Sequence, residues 1–328
     1  MNTRVRRAWS RALLALACAG AALTTSVQAQ EWPTQALRWI VPYPAGGGSD
    51  VVARTVARDL EKRLGQPLVV ENRPGAATII GATAVAQAEP NGYVVGTADS
   101  GTLAYNPSLY AKLSYDPARL TYIGGLAQLP LMLAVNADSP FQSVADVLAA
   151  ARKEPGKLTA ASAGAGSPHH LALELFKQRT GTNVLHVPYK GAAPAIQDLL
   201  GRQVDMMFID LAAGLPNVKA GKLRVLGTAT PERLPALPGV PPMAEPGVGD
   251  FTAYAWQGLV GPAGLPPPVV AKLAASLEET LKSPEIAGKL QEMGVIPMPM
   301  TPVAFRQYAQ QEFDRWAQVI AKAGIRLE

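Results

Sequence analysis

From Leu37 onward, short apolar runs of strand length alternate with longer runs in which apolar residues recur every three or four positions. Leu37 to Val41 predicts a strand. The next segment, SDVVARTVARDLEKRLG, predicts a helix, because Val52, Val56, Leu60 and Leu64 fall one turn apart. Ser49 or Asp50 is its expected N-cap and Gly65 its expected stop. Leu68 to Val70 predicts a second strand, and Tyr93 to Thr97, entered by the turn Asn91-Gly92, a third. The unit then recurs. Leu158 to Ser162 reads as strand, AGAG breaks it, and SPHHLALELFKQRTG opens a helix with Ser167 at the cap, Pro168 at the first helical position and Gly181 at the end. Strands over Val184 to Val187, Val204 to Ile209 and Leu223 to Gly227 are separated by helical runs from Ala192 to Leu200 and Ala212 to Lys219. The tail predicts helices from Pro267 to Leu281 and Pro302 to Ala323.

This alternation argues an α/β architecture with mainly parallel sheet. In such sheets ligands sit outside the carboxyl ends of strands, so the loops there are where function is expected. No long polar linker divides the chain. Two apolar stretches, GLAQLPLMLAV over 125–135 and GDFTAYAWQGLVGP over 249–262, are the candidate crossings between lobes. If both cross, the middle segment forms one lobe and the two ends together form the other.

The first segment changes the charge picture. Arg4, Arg6, Arg7 and Arg11 precede an apolar run from Ala12 to Leu23, and Val27-Gln28-Ala29 fits a signal-peptidase site. The expectation is an exported chain cleaved after Ala29. Two other addresses are weaker matches: lipidation of Cys18, where a lipobox wants Leu at Ala15, and a twin-arginine signal at Arg6-Arg7. The full chain is formally +5, and removal of the four leader arginines leaves 26 Lys+Arg against 25 Asp+Glu. No basic run interleaved with aromatics remains, which argues against nucleic acid as a partner. The only cysteine leaves with the leader, so neither a disulfide nor a cysteine metal site is expected in the mature chain.

Candidate chemistry centres on VPYPAGGGSD over 41–50. Glycines after a strand let the backbone approach a ligand, and the helix behind them presents unpaired amides at its positive dipole end. Together these make an anion site without Arg or Lys. The phosphate motifs fail in detail: each Gly-Lys pair is followed by Leu, and neither Gly46-x-Gly48 nor Gly164-x-Gly166 completes G-x-G-x-x-G. A main-chain grip on a carboxylate is the remaining local reading. AGAGSPHHL repeats the logic. Adjacent His169 and His170 diverge by roughly 100° on a helix, and with His186 in a strand no metal set forms. His169 is expected at the pocket edge and His170 packed. Ser162 in AASAG resembles a nucleophile elbow but has Ala160 where Gly is required. Lys190 is either a solvated charge or a source of positive potential. Asp210, after the apolar MMFI, either binds a ligand amine or hydroxyl or caps the helix from Ala212.

Taken in order, VPYPAGGGSDVVARTVARDLEKRLGQPLVVENRPGA, NPSLYAKLSYDP, GAGSPHHLALELFKQRTG, VPYKGAAPAIQDLLGRQVDMMF, VKAGKLRVLGTATPERLP and GLVGPAGLPPPVVAKL resemble the Bug-type substrate-binding proteins of tripartite tricarboxylate transporters. The resemblance covers essentially the whole mature chain. It implies a two-lobed type II periplasmic binding-protein fold with two crossing strands. The lobes would comprise 30–128 with 251–328, and 129–250, after a leader of 1–29. It implies a monomeric, periplasmic, non-enzymatic receptor without cofactor or metal, which delivers a small carboxylate to a membrane permease. Carried onto this chain, the first-lobe site comprises Tyr43, Pro44, Ala45, Gly46, Gly47, Gly48, Ser49, Asp50, Ser100, Gly101 and Thr102. The second lobe offers Ser167, His169, Tyr189, Lys190, Gly191, Ala192 and Asp210. The chain departs from the family pattern in RPGAATIIG, where Ala77 and Thr78 replace glycines, and at His169, where Gln is common. Two alternatives keep the same sequence features: an exported hydrolase using Ser162, His169 and Asp210, or a receptor presenting ligand to a sensor kinase.

Overall fold

The computed structural model describes residues 32–328, so the expectations for the leader, Cys18 and the cleavage point lie outside the described residues. The first half of the fold is built from β1 (Leu37–Val41), α1 (Gly48–Leu64), β2 (Leu68–Asn72), α2 (Ile79–Ala86) and β3 (Val94–Asp99). A π-turn, Gly101–Tyr105, leads into the short α3 (Asn106–Leu109). The long β4 (Thr121–Asn136) is followed by α4 (Val144–Lys153), β5 (Thr159–Ser162), α5 (Pro168–Thr180), β6 (Leu185–Pro188) and α6 (Ala192–Leu200). Then come β7 (Met206–Asp210), α7 (Leu211–Lys219), β8 (Leu223–Thr228) and β9 (Tyr254–Gly261). The tail holds α8 (Pro267–Lys282), α9 (Pro284–Glu292), β10 (Ile296–Pro297) and α10 (Pro302–Ala323).

The sheet is mixed and runs β2-β1-β3-β9-β4-β7-β5-β6, with β8 and β10 also paired to β4. Strands β1, β2 and β3 are parallel, as are β5, β6 and β7, which is what βαβ connections require. The strand that joins these two sets is β4. Its first part, to Pro130, pairs antiparallel with β9, and from Leu131 it pairs with β7 and β8. Covered on both faces, β4 is almost wholly buried and reads as a continuous apolar run. The chain returns at Ala253, whose amide donates to Ala229 O at 2.9 Å while its carbonyl accepts from Leu131 N at 3.3 Å. Gly125 is required where β10 passes, since a Cβ there would lie 2.5 Å from the Met298 carbonyl oxygen.

Aromatic residues fill the core around this junction. Trp256 of β9 meets Phe305 and Tyr308 of α10 edge-on, and Phe208 of β7 packs with Phe176 and Phe251. Each such buried ring contributes on the order of 2–3 kcal/mol through area removed from water. The periodic helices lie where the pattern places them, α6 and α10 with the predicted bounds. One expectation is corrected: α1 starts at Gly48 with Gly47 as N-cap, and neither Ser49 nor Asp50 caps it. Asp50 is inside the first turn, where its carboxylate folds back onto the Gly46 amide at 2.9 Å. The strand β3 runs on through Asp99, two residues past the predicted end.

Candidate functional site

The glycine loop between β1 and α1 is braced from behind. Asp50 accepts from Gly46 N and Arg54 Nε at 2.9 Å, and from Asn72 Nδ2 at 2.8 Å. Burial would raise the Asp50 pKa, but the bonds from Arg54, Gly46 and Asn72 outweigh it and hold the carboxyl below its ordinary value. Gly46 takes φ 79°, a conformation that favours glycine. Gly47 does not, with φ −75°. The first helical amide bonded back along the chain is Val51 N, to Gly47 O at 3.0 Å. The amides of Gly48, Ser49 and Asp50 precede it, and no side chain caps α1. The Ser49 hydroxyl is occupied elsewhere, donating to Gln257 Oε1 of β9 at 2.8 Å.

Beside this loop lies a knot around Asp99, the last residue of β3, which is 3% exposed. The Tyr43 hydroxyl donates to its Oδ2. Thr102 donates twice to Oδ1, from its amide at 2.8 Å and its hydroxyl at 2.7 Å. Thr78 Oγ1 lies 2.9 Å from Thr102 Oγ1, and Tyr115 donates to Thr102 O at 2.8 Å. Burial pushes the Tyr43 hydroxyl well above the usual tyrosine pKa, the negative charge of Asp99 adds to this, and Asp210 adds a smaller contribution from the other half of the fold. Ser100 is fully buried, and neither its hydroxyl nor that of the buried Tyr105 has a hydrogen-bond partner. Gly101 leaves room for the Asp99 carboxylate, which a Cβ there would approach to 3.3 Å.

In the second half, Asp210 divides its two oxygens between the two roles the sequence left open. Oδ1 caps α7, accepting from Ala213 N at 2.9 Å. Oδ2 faces His169 Nε2 at 3.3 Å. His169 is 7% exposed, and its other ring nitrogen, Nδ1, is buried with no hydrogen-bond partner. Ser167 caps α5 by accepting from His170 N at 3.3 Å. Gly191, at φ 114°, donates to Ala163 O at 3.2 Å and leads into α6 at Ala192, again without a side-chain cap.

Tyr43 and Thr102 are thus joined through Asp99, and His169 is joined to Asp210. Others are not drawn in. Tyr189 turns its hydroxyl to Asp198 Oδ2 at 2.6 Å, which lifts its pKa to about 12. Lys190, Pro44 and Ala45 are exposed. Ser162 pairs with His186 rather than with His169, its Oγ 2.6 Å from His186 Nε2. The His186 ring stacks on His170 at 3.7 Å, so His170 is packed as expected. Among the described residues, no group of three His, Cys, Asp or Glu is arranged to hold a metal ion. Two residues of the site escaped the sequence reading, Asp99 and Gln257. Asp99 carried a usable signal, a lone carboxylate closing an apolar strand, as in Asp210.

A two-winged α/β sheet joined through one long strand, with glycine-bearing loops at its strand ends, defines the periplasmic binding-protein class. The sequence model of the tripartite tricarboxylate transporter family receptor, TctC, matches residues 52–325. The chain is 34% identical to Protein BugT of Bordetella pertussis over 319 residues, covering 97% of this chain and 98% of that one. Among solved structures, an R. palustris protein with adipate is 35% identical at TM-score 0.85, covering 90% of this chain and 99% of that one. MatC from Rhodopseudomonas palustris with bound malate is 32% identical at TM-score 0.80, covering 88% of this chain and 100% of that one. This chain belongs to the tripartite tricarboxylate transporter receptor family, whose members are solute-binding receptors. None of the described helices is long and apolar enough to cross a membrane.

Proposed function

We propose that this chain is a periplasmic receptor that captures a small carboxylate and hands it to a tripartite tricarboxylate-type permease. The leader, 1–29, is removed, and the mature chain acts as a monomer. Residues 30–128 with 251–328 form one lobe and 129–250 the other, with the ligand closed between them. One ligand carboxylate is held by the main-chain amides of Gly48, Ser49 and Asp50, helped by the N-terminus of α6.

The observation that carries this reading is the bare start of α1. Helices α4, α5, α7, α9 and α10 are each capped by a side chain, whereas α1, α2, α3, α6 and α8 are not; of these, α1 and α6 are the two that begin in the candidate ligand loops over 41–50 and 187–192. Three amides and a helix dipole converging on one point stabilise an anion. The adipate and malate held by the two R. palustris relatives are anions of the expected size.

Position 48 offers a clean test. Gly47 is extended, at ψ 165°, and Gly48 is the first helical residue, so proline fits there without disturbing the helix. Gly48→Pro removes one amide hydrogen, whereas Gly48→Ala keeps it, and a Cβ at this position meets only Leu129 at 3.8 Å. Binding of C4–C6 dicarboxylates to refolded mature protein is measured by calorimetry. Gly48→Ala is expected to bind as the parent does, and Gly48→Pro to lose about tenfold or more, the scale of one charge-assisted hydrogen bond. Equal binding by both variants would refute the main-chain grip.

A further inference from the structure

The acceptor groups of the cluster point to a more specific ligand. Asp210 is a carboxylate and only accepts, so His169 Nε2, 3.3 Å from its Oδ2, carries the ring proton. In the neutral ring this leaves Nδ1 as a lone-pair acceptor. That nitrogen is buried and has no hydrogen-bond partner, on a side chain that is itself 92% buried. A buried acceptor left unpaired is destabilising, and native proteins rarely tolerate one without a reason. Its surroundings repeat the same preference. Asp99 and Asp210 are both buried, and the Tyr43 hydroxyl has turned its proton to Asp99. This end of the cluster therefore accepts hydrogen bonds and repels a second bare negative charge, while the opposite end, at the start of α1, donates them.

We infer that the ligand carries a hydrogen-bond donor, a hydroxyl or an ammonium group, on the carbon chain beside its amide-held carboxylate, and that His169 Nδ1 accepts from it. Asp210 is a positioning residue: it fixes the tautomer that makes Nδ1 an acceptor. The inference rests on the receptor reading above but goes beyond it. The relatives leave the matter open, since malate has such a hydroxyl and adipate has none.

The experiment is calorimetric titration of refolded mature protein with succinate, malate and aspartate, which share a four-carbon dicarboxylate frame and differ at one substituent. Malate or aspartate is expected to bind at least tenfold more tightly than succinate, and which of the two wins distinguishes hydroxyl from ammonium. His169→Leu is expected to bring that ratio close to one, with succinate titrated into the same variant as the internal reference. Asp210→Asn keeps a side chain able to cap α7 but can donate to Nε2, so it favours the opposite tautomer and is expected to lower the ratio as well. Far-ultraviolet circular dichroism and Tm establish that each variant is folded. Succinate binding as tightly as malate and aspartate in the parent would overturn the donor inference and leave the receptor standing. So would a ratio unchanged in folded His169→Leu. Failure of all three acids and of longer dicarboxylates to bind the parent would overturn both.

Discussion

The amide of Gly46 donates to the carboxylate of Asp50 at 2.9 Å, across the tip of the loop that the sequence marks as the ligand grip. The consequence is a division of labour within seven residues. Gly46 and the Asp50 side chain hold the loop's shape, and the amides of Gly48, Ser49 and Asp50 stay available.

Removing the brace should loosen the loop and the fold together. Asp50→Ala loses bonds to Gly46, Asn72 and Arg54, and is expected to cost about 1–2 kcal/mol, read as a fall of a few degrees in Tm. Because the folded Asp50 pKa is depressed, its contribution is fully present above the ordinary Asp value of about 3.9 and disappears as pH falls through the lower folded value. The Tm difference between parent and variant should therefore be constant from neutral pH down to about 3.9 and shrink below it.

His186 should impose an acid limit at higher pH. Its pKa is lowered to about 4 by burial first and by the facing His170 second, while Glu174 opposes the shift and Lys177 adds slightly to it. The neutral ring shares a hydrogen bond with Ser162 Oγ and stacks on His170. The unfolded chain takes up a proton near pH 6.5, before the folded chain does, so stability is complete above that value and falls as pH drops towards 4. At pH 5 the loss from this residue is about 2 kcal/mol by linkage. His186→Gln should flatten the Tm profile between pH 7 and 5, at some cost in absolute stability. An unchanged slope would assign the acid sensitivity elsewhere.

Much of this was visible in the sequence, and what was hidden has identifiable physical causes. Helix α10 could be read to its ends because its apolar stripe is regular and Thr301 caps it. Helix α2, IIGATAVA, has no polar face to give a period, whereas α4 and α9 carried a signal that went unread, the serine caps Ser143 and Ser283. At the site, the strand-end loops were legible because glycine and cap residues act locally. The contacts between them were not. Ser49 meets Gln257 across 208 residues and Tyr43 meets Asp99 across 56, distances at which register is set by packing of the whole sheet. The same blindness left the roles of Asp210 open until its two oxygens could be placed separately.

The segment between β2 and α2 holds removable strain. Ala76, Ala77 and Thr78 have φ of 45°, 48° and 75°, in the left-handed region that favours glycine. A left-handed conformation costs an L-residue about 1 kcal/mol or more. Ala77→Gly should thus raise stability by about 0.5–1 kcal/mol, measured by urea denaturation. Thr78→Gly should gain much less, since it also gives up the contact with Thr102 at 2.9 Å. If Ala77→Gly destabilises, the strained geometry is not that of the folded protein in solution.

The junction between the wings depends on a position with no side chain. Gly258 of β9 pairs with Ala98 on one side and Gly125 on the other, and a Cβ there would run into the Phe305 ring of α10. The ring is wholly buried and packs against Trp256 and Tyr122, so it has nowhere to retreat. Gly258→Ala is therefore expected to cost about 1–3 kcal/mol by overpacking, and Phe305→Ala about 3–5 kcal/mol by opening a cavity. If the two side chains compete for one volume, the double variant should cost clearly less than the sum, a coupling of about 1 kcal/mol or more in a double-mutant cycle. Strict additivity would mean that Gly258 is needed for its backbone conformation and not for the space it leaves. The cycle also bears on function, because β9 carries Gln257 to Ser49 at the start of α1. A wedge at Gly258 that displaces β9 should weaken dicarboxylate binding, and Phe305→Ala in the same chain should restore part of it.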